Sequence, residues 1–477
     1  VQQWELRAAF ARALSDMYGR EVPAYQTLLQ VSAEVNADVL AKHGADAQRL
    51  GSIDRVTAER HGAIRVGTPE ELRQVGQIFA GFGMHPVGFY DLRDASSSAV
   101  PVVSTAFRPL DADELARNPF RVFTSVLVTD DRRFFDADLQ ARLETFLGRR
   151  ELFPPRVLEL AARAEAAGGL DGDEADELVA GATACFALSR EPIDRSWYDE
   201  LSRISAVAAD IGGVASTHIN HLTPRVLDID ELYRRMTDLG VTMIDEIQGP
   251  PAWEGPDVLL RQTSFRALAE PRVFTDGPGE LRVRFGEVEA RGIALTADGR
   301  ALYDRMLAEV DTRRASTGRP RAEVAAEVWR ESLPPTEGAL DHAGLGAFTY
   351  RATPDAAARL STLLAARGAD DPAAGAAPAT AGHTLVRGHP QLDVHALVSA
   401  GVAVREPIVY EDFLPRSAAG IFQSNLSDAG RRDDALTGTA RDAGWLSDAL
   451  GRDVADPIVR NDELTRASLQ ALNLEIS

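Results

Sequence analysis

Two histidines and a glutamate, His61, His221 and Glu289, stand out because they sit in a pattern that the chain uses twice. The first copy reads His61-Gly-Ala-Ile-Arg65, then a helical stretch, then Thr105-Ala-Phe-Arg108-Pro-Leu110 and Phe120-Arg-Val-Phe-Thr-Ser-Val126. The second reads His221-Leu-Thr-Pro-Arg225, a helical stretch, Thr263-Ser-Phe-Arg266-Ala-Leu268 and Leu281-Arg-Val-Arg-Phe-Gly-Glu-Val-Glu289. Two histidines and one carboxylate are the ligand set of a non-haem Fe(II) oxygenase site, which leaves coordination positions open for substrate and O2. Here the three would come from two duplicated modules facing each other.

Two choices within the pattern stay open. His218 competes with His221, but three residues apart on a strand they face opposite sides. His221 is preferred because it alone aligns with His61 through His-x-x-x-Arg. Glu287 and Glu289 share a face, and Glu289 is preferred as nearer the strand centre. The remaining histidines, His43, His85, His342, His383, His389 and His395, show no partner spacing. On a strand, residues i and i+4 point the same way, with Cα atoms roughly 13 Å apart. A metal at His61 and the Arg65 guanidinium could therefore bracket a short dicarboxylate, for which Arg suits better than Lys. Arg225 repeats that spacing. Arg108 and Arg266 could add to a positive pocket or pair with carboxylates across the sheet.

The elements that must carry these residues follow from pattern. A strand around His61–Val66 ends at Gly67. Thr68 is then an N-cap candidate, with Pro69 at the first helical position and Glu71 completing a capping box. That helix runs to about Phe82, and Met84–Tyr90 reads as a strand. In the second copy the helix is Ile229–Leu239 and the next strand Val241–Ile247. The fold expected is α+β: two strand-helix-strands modules forming a central curved sheet, with large helical insertions. The domain reading is helices over 1–50, a first module over 51–130, a helical insertion over 131–210, a second module over 211–297, and a C-terminal helical region over 298–477. The last contains a low-complexity, mobile segment at 365–382 and a site-closing ordered loop, Tyr410-Glu-Asp-Phe-Leu-Pro-Arg-Ser-Ala-Ala-Gly-Ile-Phe422.

Composition narrows the class. The chain has 477 residues, 45% hydrophobic and 26% charged, as in ordinary globular proteins. A net charge of −21 argues against a nucleic-acid partner. Cys185 is the one cysteine, so no internal disulfide forms, and its Ala-rich surroundings read as a buried apolar site. No signal-peptide pattern or long apolar run is present, so neither membrane nor secretion is expected, and a reducing cytoplasm is. The sequence leaves oligomeric state open, a monomer included.

The motifs together resemble the 2-oxoadipate dioxygenase/decarboxylase family, also called hydroxyglutarate synthase. The resemblance rests on Leu14-Ser-Asp-Met-Tyr-Gly-Arg-Glu-Val-Pro23, Arg60-His-Gly-Ala-Ile-Arg65 and His218-Ile-Asn-His-Leu-Thr-Pro-Arg225. It continues in Phe285-Gly-Glu-Val-Glu289, Arg291-Gly-Ile-Ala-Leu-Thr296 and the segment from Tyr410 to Phe422. It implies a vicinal-oxygen-chelate fold with helical additions. It also implies Fe(2+) on His61, His221 and Glu289, a substrate carboxylate held by Arg65, and further contacts from Arg416 and Ser417. Family members carry Val before that serine, so Arg416 is a departure. The implied reaction takes 2-oxoadipate and O2 to 2-hydroxyglutarate and CO2, a step of lysine breakdown. The alternatives are another metal-dependent vicinal-oxygen-chelate enzyme, an isomerase or a ring-cleaving dioxygenase, and a non-catalytic small-acid binder.

Overall fold

Strand β1, Arg60–Val66, is the axis of the computed structural model, which describes residues 1–95, 100–368, 392–425 and 430–476. Its alternation sorts side chains by face: Ile64 and Val66 enter the hydrophobic core, while His61, Ala63 and Arg65 point to the other side. With β2 (His85–Asp91), β3 (Val102–Arg108), β4 (Arg121–Leu127) and β5 (His221–Pro224) it makes a five-stranded sheet in the order β2-β3-β4-β1-β5. β1 runs parallel to β4 and antiparallel to β5. The helix between β1 and β2, Pro69–Gly81, starts as its sequence requires. The Thr68 hydroxyl accepts from the Glu71 amide, and Glu71 reaches back to the Thr68 amide.

The second module is less regular. After β5, helix Ile229–Asp238 leads to β6 (Leu260–Phe265), a hairpin of β7 (Glu270–Phe274) and β8 (Gly277–Leu281), and β9 (Gly286–Arg291). β9 pairs with β6 and touches the end of β5 through a parallel bridge, Arg225 to Glu289. The strand expected over Val241–Ile247 does not form. That segment meets β6 only at Met243–Phe265 and Gln248–Gln262, because the exposed Asp245 and Glu246 bend away between the two bridges. The segment after the hairpin is also irregular, since β8 ends at Leu281 and β9 begins at Gly286.

Helices frame both modules. Gln3–Glu21 and Ala24–His43 are separated at Pro23, and Leu6, Phe10, Leu14 and Tyr18 of the first are buried. The Tyr18 hydroxyl lies 3.1 and 2.7 Å from the carbonyl oxygens of Asn220 and Phe285, so one helical side chain ties the approaches to β5 and β9 together. Residues 137–212 supply five helices. The fold is therefore the α+β class expected from pattern.

The chain divides into two compact units. The first comprises Val1–Gly249, Leu260–Ala290 and Asp412–Asp456; the second comprises Pro250–Leu259, Arg291–Glu411 and Pro457–Ser477. The second contains long helices, Ala297–Thr317 and Pro457–Ile476, and the antiparallel pair of β10 (Phe348–Ala352) and β11 (Ala403–Pro407). The Tyr410–Phe422 segment is only partly a loop. From Pro415 it becomes helix Pro415–Asn425, since proline fits a first helical turn and Ser-Ala-Ala-Gly-Ile-Phe can follow it. Of the low-complexity 365–382 segment, residues 365–368 complete helix Ala356–Gly368, and the rest lies outside the described residues, as do His383 and His389. No described helix is long and apolar enough to cross a membrane.

Candidate active site

The register of β1 against β5 brings the two histidines together. His61 pairs with Thr223 and Ala63 with His221, so His61 and His221 are diagonal neighbours on one face. Their rings are 5.4 Å apart and perpendicular, and both residues are buried. The Thr223 hydroxyl sits 3.0 Å from His221 Nδ1, which leaves Nε2 facing inward. Phe285 stacks on the His221 ring and Phe413 packs edge-on against His61.

β9 delivers two carboxylates to this pair. Glu287 lies 3.3 Å from His61 Nε2 and 3.5 Å from His221 Nε2, and Gln262 donates a hydrogen bond to it from β6. Glu289 lies on the opposite nitrogen, 2.9 Å from His61 Nδ1, and its other oxygen is 3.3 Å from Arg121. His61, His221 and Glu287 have ligand atoms within 4.8 Å of one another, a spacing that suits a metal ion. Behind them runs a buried ion-pair network in which Glu59 bridges Arg121 at 2.8 Å and Arg225 at 2.9 Å.

The electrostatics suit a divalent cation. Burial opposes protonation of His61, but the Glu289 and Glu287 charges outweigh it and hold its pKa above the ordinary imidazole value. Burial, reinforced by Glu289, pushes Glu287 up. Burial, with His61 and Arg65 nearby, holds His221 well below its ordinary value, so it is neutral as metal ligation requires. Two buried carboxylates against two imidazoles form a donor set that a divalent ion would balance.

Arg65 faces the same side of β1. Its Nη1 donates to Asp210 at 2.5 Å, and its guanidinium carbon lies 4.8 Å from the Phe422 ring centre. Nε and Nη2, the edge that grips a carboxylate bidentately, are buried and have no hydrogen-bond partner among the described residues. The four-arginine pocket does not assemble. Arg108 pairs with Asp412, Arg225 with Glu59, and Arg266, partly exposed, with Asp245. The carboxylates reach Arg108 and Arg266 from loops rather than across the sheet.

The other expected residues are placed as follows. His218 does not reach His61; its Nε2 is 3.4 Å from Asp210, and burial lowers its pKa to about 4. Ser417 is buried on helix Pro415–Asn425, whereas Arg416 on the same helix is exposed. Cys185 is half-buried, and its thiol is pushed up to about 11 by burial, far from a nucleophile's range. Sequence spacing gave no signal for Asp210 or Gln262, whose roles come from tertiary neighbours.

A family model described as 2-oxoadipate dioxygenase/decarboxylase matches residues 10–425. A curated 2-oxoadipate dioxygenase/decarboxylase from Mycobacterium tuberculosis is 53% identical over 471 residues, covering 98% of each chain. One of that name from Pseudomonas putida is 39% identical over 480 residues, covering 98% of this chain and 96% of the relative. The crystal structure of hydroxyglutarate synthase from Pseudomonas putida in complex with 2-oxoadipate superposes with a TM-score of 0.82 at 37% identity, covering 100% of this chain and 99% of that one. By sequence over nearly its whole length and by fold, the chain belongs to the 2-oxoadipate dioxygenase/decarboxylase family.

Proposed function

We propose that this protein converts 2-oxoadipate and O2 into 2-hydroxyglutarate and CO2, a step of lysine breakdown carried out in the cytoplasm, with Fe(II) as its metal. The reaction balances without an added reductant, because the 2-oxo acid supplies the electrons as it loses its carboxylate. The observation that carries the reading is the pairing of a His-His-Glu cluster, drawn from β1, β5 and β9, with an arginine on the His61 face of β1 whose carboxylate-gripping edge has no partner among the described residues. Bound iron would supply chelation of the 2-oxo acid and activation of O2.

The protein's own groups do the rest. His61 and His221 would hold the metal, with a carboxylate from the Glu-Val-Glu strand. Motif alignment favours Glu289, but distances favour Glu287, which alone reaches both imidazole Nε2 atoms. We assign Glu287 as ligand and Glu289 as the carboxylate orienting His61 through Nδ1, a common partner of metal-bound histidine. The Thr223 hydroxyl can accept from His221 Nδ1–H, the tautomer that leaves Nε2 free for a metal. Arg65 takes the substrate's remote carboxylate through Nε and Nη2, Ser417 adds a polar contact from its helix, and Phe413 keeps water from the His61 ring.

The test is anaerobic reconstitution with Fe(II), then O2 uptake and product analysis with 2-oxoadipate, 2-oxoglutarate and 2-oxohexanoate. Stoichiometric O2, CO2 and 2-hydroxyglutarate from 2-oxoadipate, with the monoacid much slower, is expected. Turnover without O2 would point to an isomerase, binding without turnover to a sequestering protein, and equal kcat/KM for 2-oxohexanoate would sink the role of a second carboxylate.

A further inference from the structure

We propose that Asp210 is the positioning residue for Arg65: it holds one end of the guanidinium so that the other end faces the substrate acid. The proposal rests on the reading of Arg65 as the carboxylate-binding group and adds a residue that the motif spacing does not flag. Asp210 lies on helix Ala206–Gly212, which Ser205 caps by accepting from the Val207 and Ala208 amides. It is buried and takes three partners. Oδ2 accepts from Arg65 Nη1 at 2.5 Å and from Asn220 Nδ2 at 3.0 Å, and Oδ1 lies 3.4 Å from His218 Nε2.

The residues around it fasten Arg65 at both backbone and side chain. The Thr217 hydroxyl donates to the Arg65 carbonyl at 2.7 Å, and the Asn220 amide donates to the Ala63 carbonyl at 2.8 Å. Asn220 directly precedes His221, so the turn that seats a candidate metal ligand also braces Asp210. His218 thereby gains a role as part of that brace. With Nη1 tied and the guanidinium carbon over the Phe422 ring, rotation is restricted, and the Nε–Nη2 edge has no hydrogen-bond partner of its own among the described residues. A flexible side chain immobilised before binding loses less entropy when the ligand arrives.

Charge alone predicts the opposite sign, which makes the proposal decidable. Removing a carboxylate beside the binding arginine makes the pocket more positive and would tighten binding of a dianion. Loss of positioning would weaken it. Asp210→Ala and the near-isosteric Asp210→Asn are compared with Arg65→Ala in the iron-loaded protein, measuring KM and kcat for 2-oxoadipate, iron content and melting temperature. Asp210→Ala should raise KM by about 10-fold or more, with kcat lowered less and iron unchanged, and Asp210→Asn should fall between it and wild type. The double variant Arg65→Ala/Asp210→Ala should be no worse than Arg65→Ala, because both act through one contact.

An unchanged or lowered KM in Asp210→Asn, with Arg65→Ala impaired, overturns the proposal alone. So does additivity in the double variant. An unchanged KM in Arg65→Ala overturns the reading of Arg65 and this proposal with it. If Asp210→Ala does not fold, Asp210→Asn decides by the same KM criterion.

Discussion

Glu287 and Glu289 differ by two positions and share a face, so alternation cannot choose between them; only the depth at which β9 meets His61 separates their roles. Glu287→Gln should therefore abolish iron binding, while Glu289→Gln should retain iron with affinity lowered about 10–100-fold, as for an orienting partner. Iron titration of the two folded variants decides, and total loss in Glu289→Gln with retention in Glu287→Gln would exchange the assignments. Arg65→Lys belongs to the same scale. A lysine cannot fill the paired-donor geometry that Nε and Nη2 offer, so kcat/KM should drop by about 2–4 kcal/mol with iron unchanged. A lowered melting temperature with unaltered kinetics of the folded fraction would make Arg65 a structural ion pair instead. The histidines were legible from the repeat: His-x-x-x-Arg selects His221, and the β1–β5 register explains why, since His218 lies before β5 and turns to Asp210. Asp210 was not legible, because nothing local marks a helical aspartate that meets a strand arginine 145 residues earlier in the chain.

At the scale of elements, the close approach of β6 and β9 sets where Glu287 lands. A Cβ on Gly286 would stand 1.8 Å from the Phe265 ring, and Phe265 is buried with no room to retreat. Gly286→Ala should then separate the two strands, costing about 1–3 kcal/mol as overpacking does. It should weaken iron binding as well, because Glu287 is the next residue. A melting-temperature loss with full iron affinity would show that the strands adjust without moving the carboxylate. The first module was readable from sequence because each boundary carries local chemistry, such as the Thr68-Pro69-Glu71 start of its helix. The second module was harder. Val241–Ile247 has strand-like residues, yet its pairing with β6 is confined to two bridges around the bend at Asp245 and Glu246. The segment before Glu287 is likewise irregular, since β8 ends at Leu281 and β9 begins only at Gly286. Helix Pro415–Asn425 was read as a loop because its Pro and Gly mask a turn-and-helix start.

At the scale of the whole chain, the second unit carries its own titratable centre, which spacing did not reveal because its members lie far apart in sequence. Asp341 receives the Tyr350 hydroxyl at 2.6 Å, Arg405 at 3.1 Å and His395 Nδ1 at 3.3 Å, and the His342 ring lies 5.0 Å from that of His395. The Asp341 carboxylate 3.3 Å away, against partial burial, raises the His395 pKa above its ordinary 6.5. Burial would raise Asp341, but His395, Tyr350 and Arg405 outweigh it and hold its pKa below 3.8. A raised histidine stabilises fully below its unfolded pKa, and that contribution is lost as pH climbs through the folded value. A depressed aspartate stabilises above its unfolded pKa and loses that contribution as pH falls through the folded value. The second unit should thus loosen on the alkaline side as His395 deprotonates, and again in acid as Asp341 protonates. Amide exchange in the β10–β11 strand pair, corrected for intrinsic rates, should report the alkaline loss above the ordinary imidazole value of 6.5. His395→Asn should flatten that slope while leaving the acid limb in place. An identical slope in wild type and His395→Asn would remove His395 as its source and leave Asp341 held by Tyr350 and Arg405 alone.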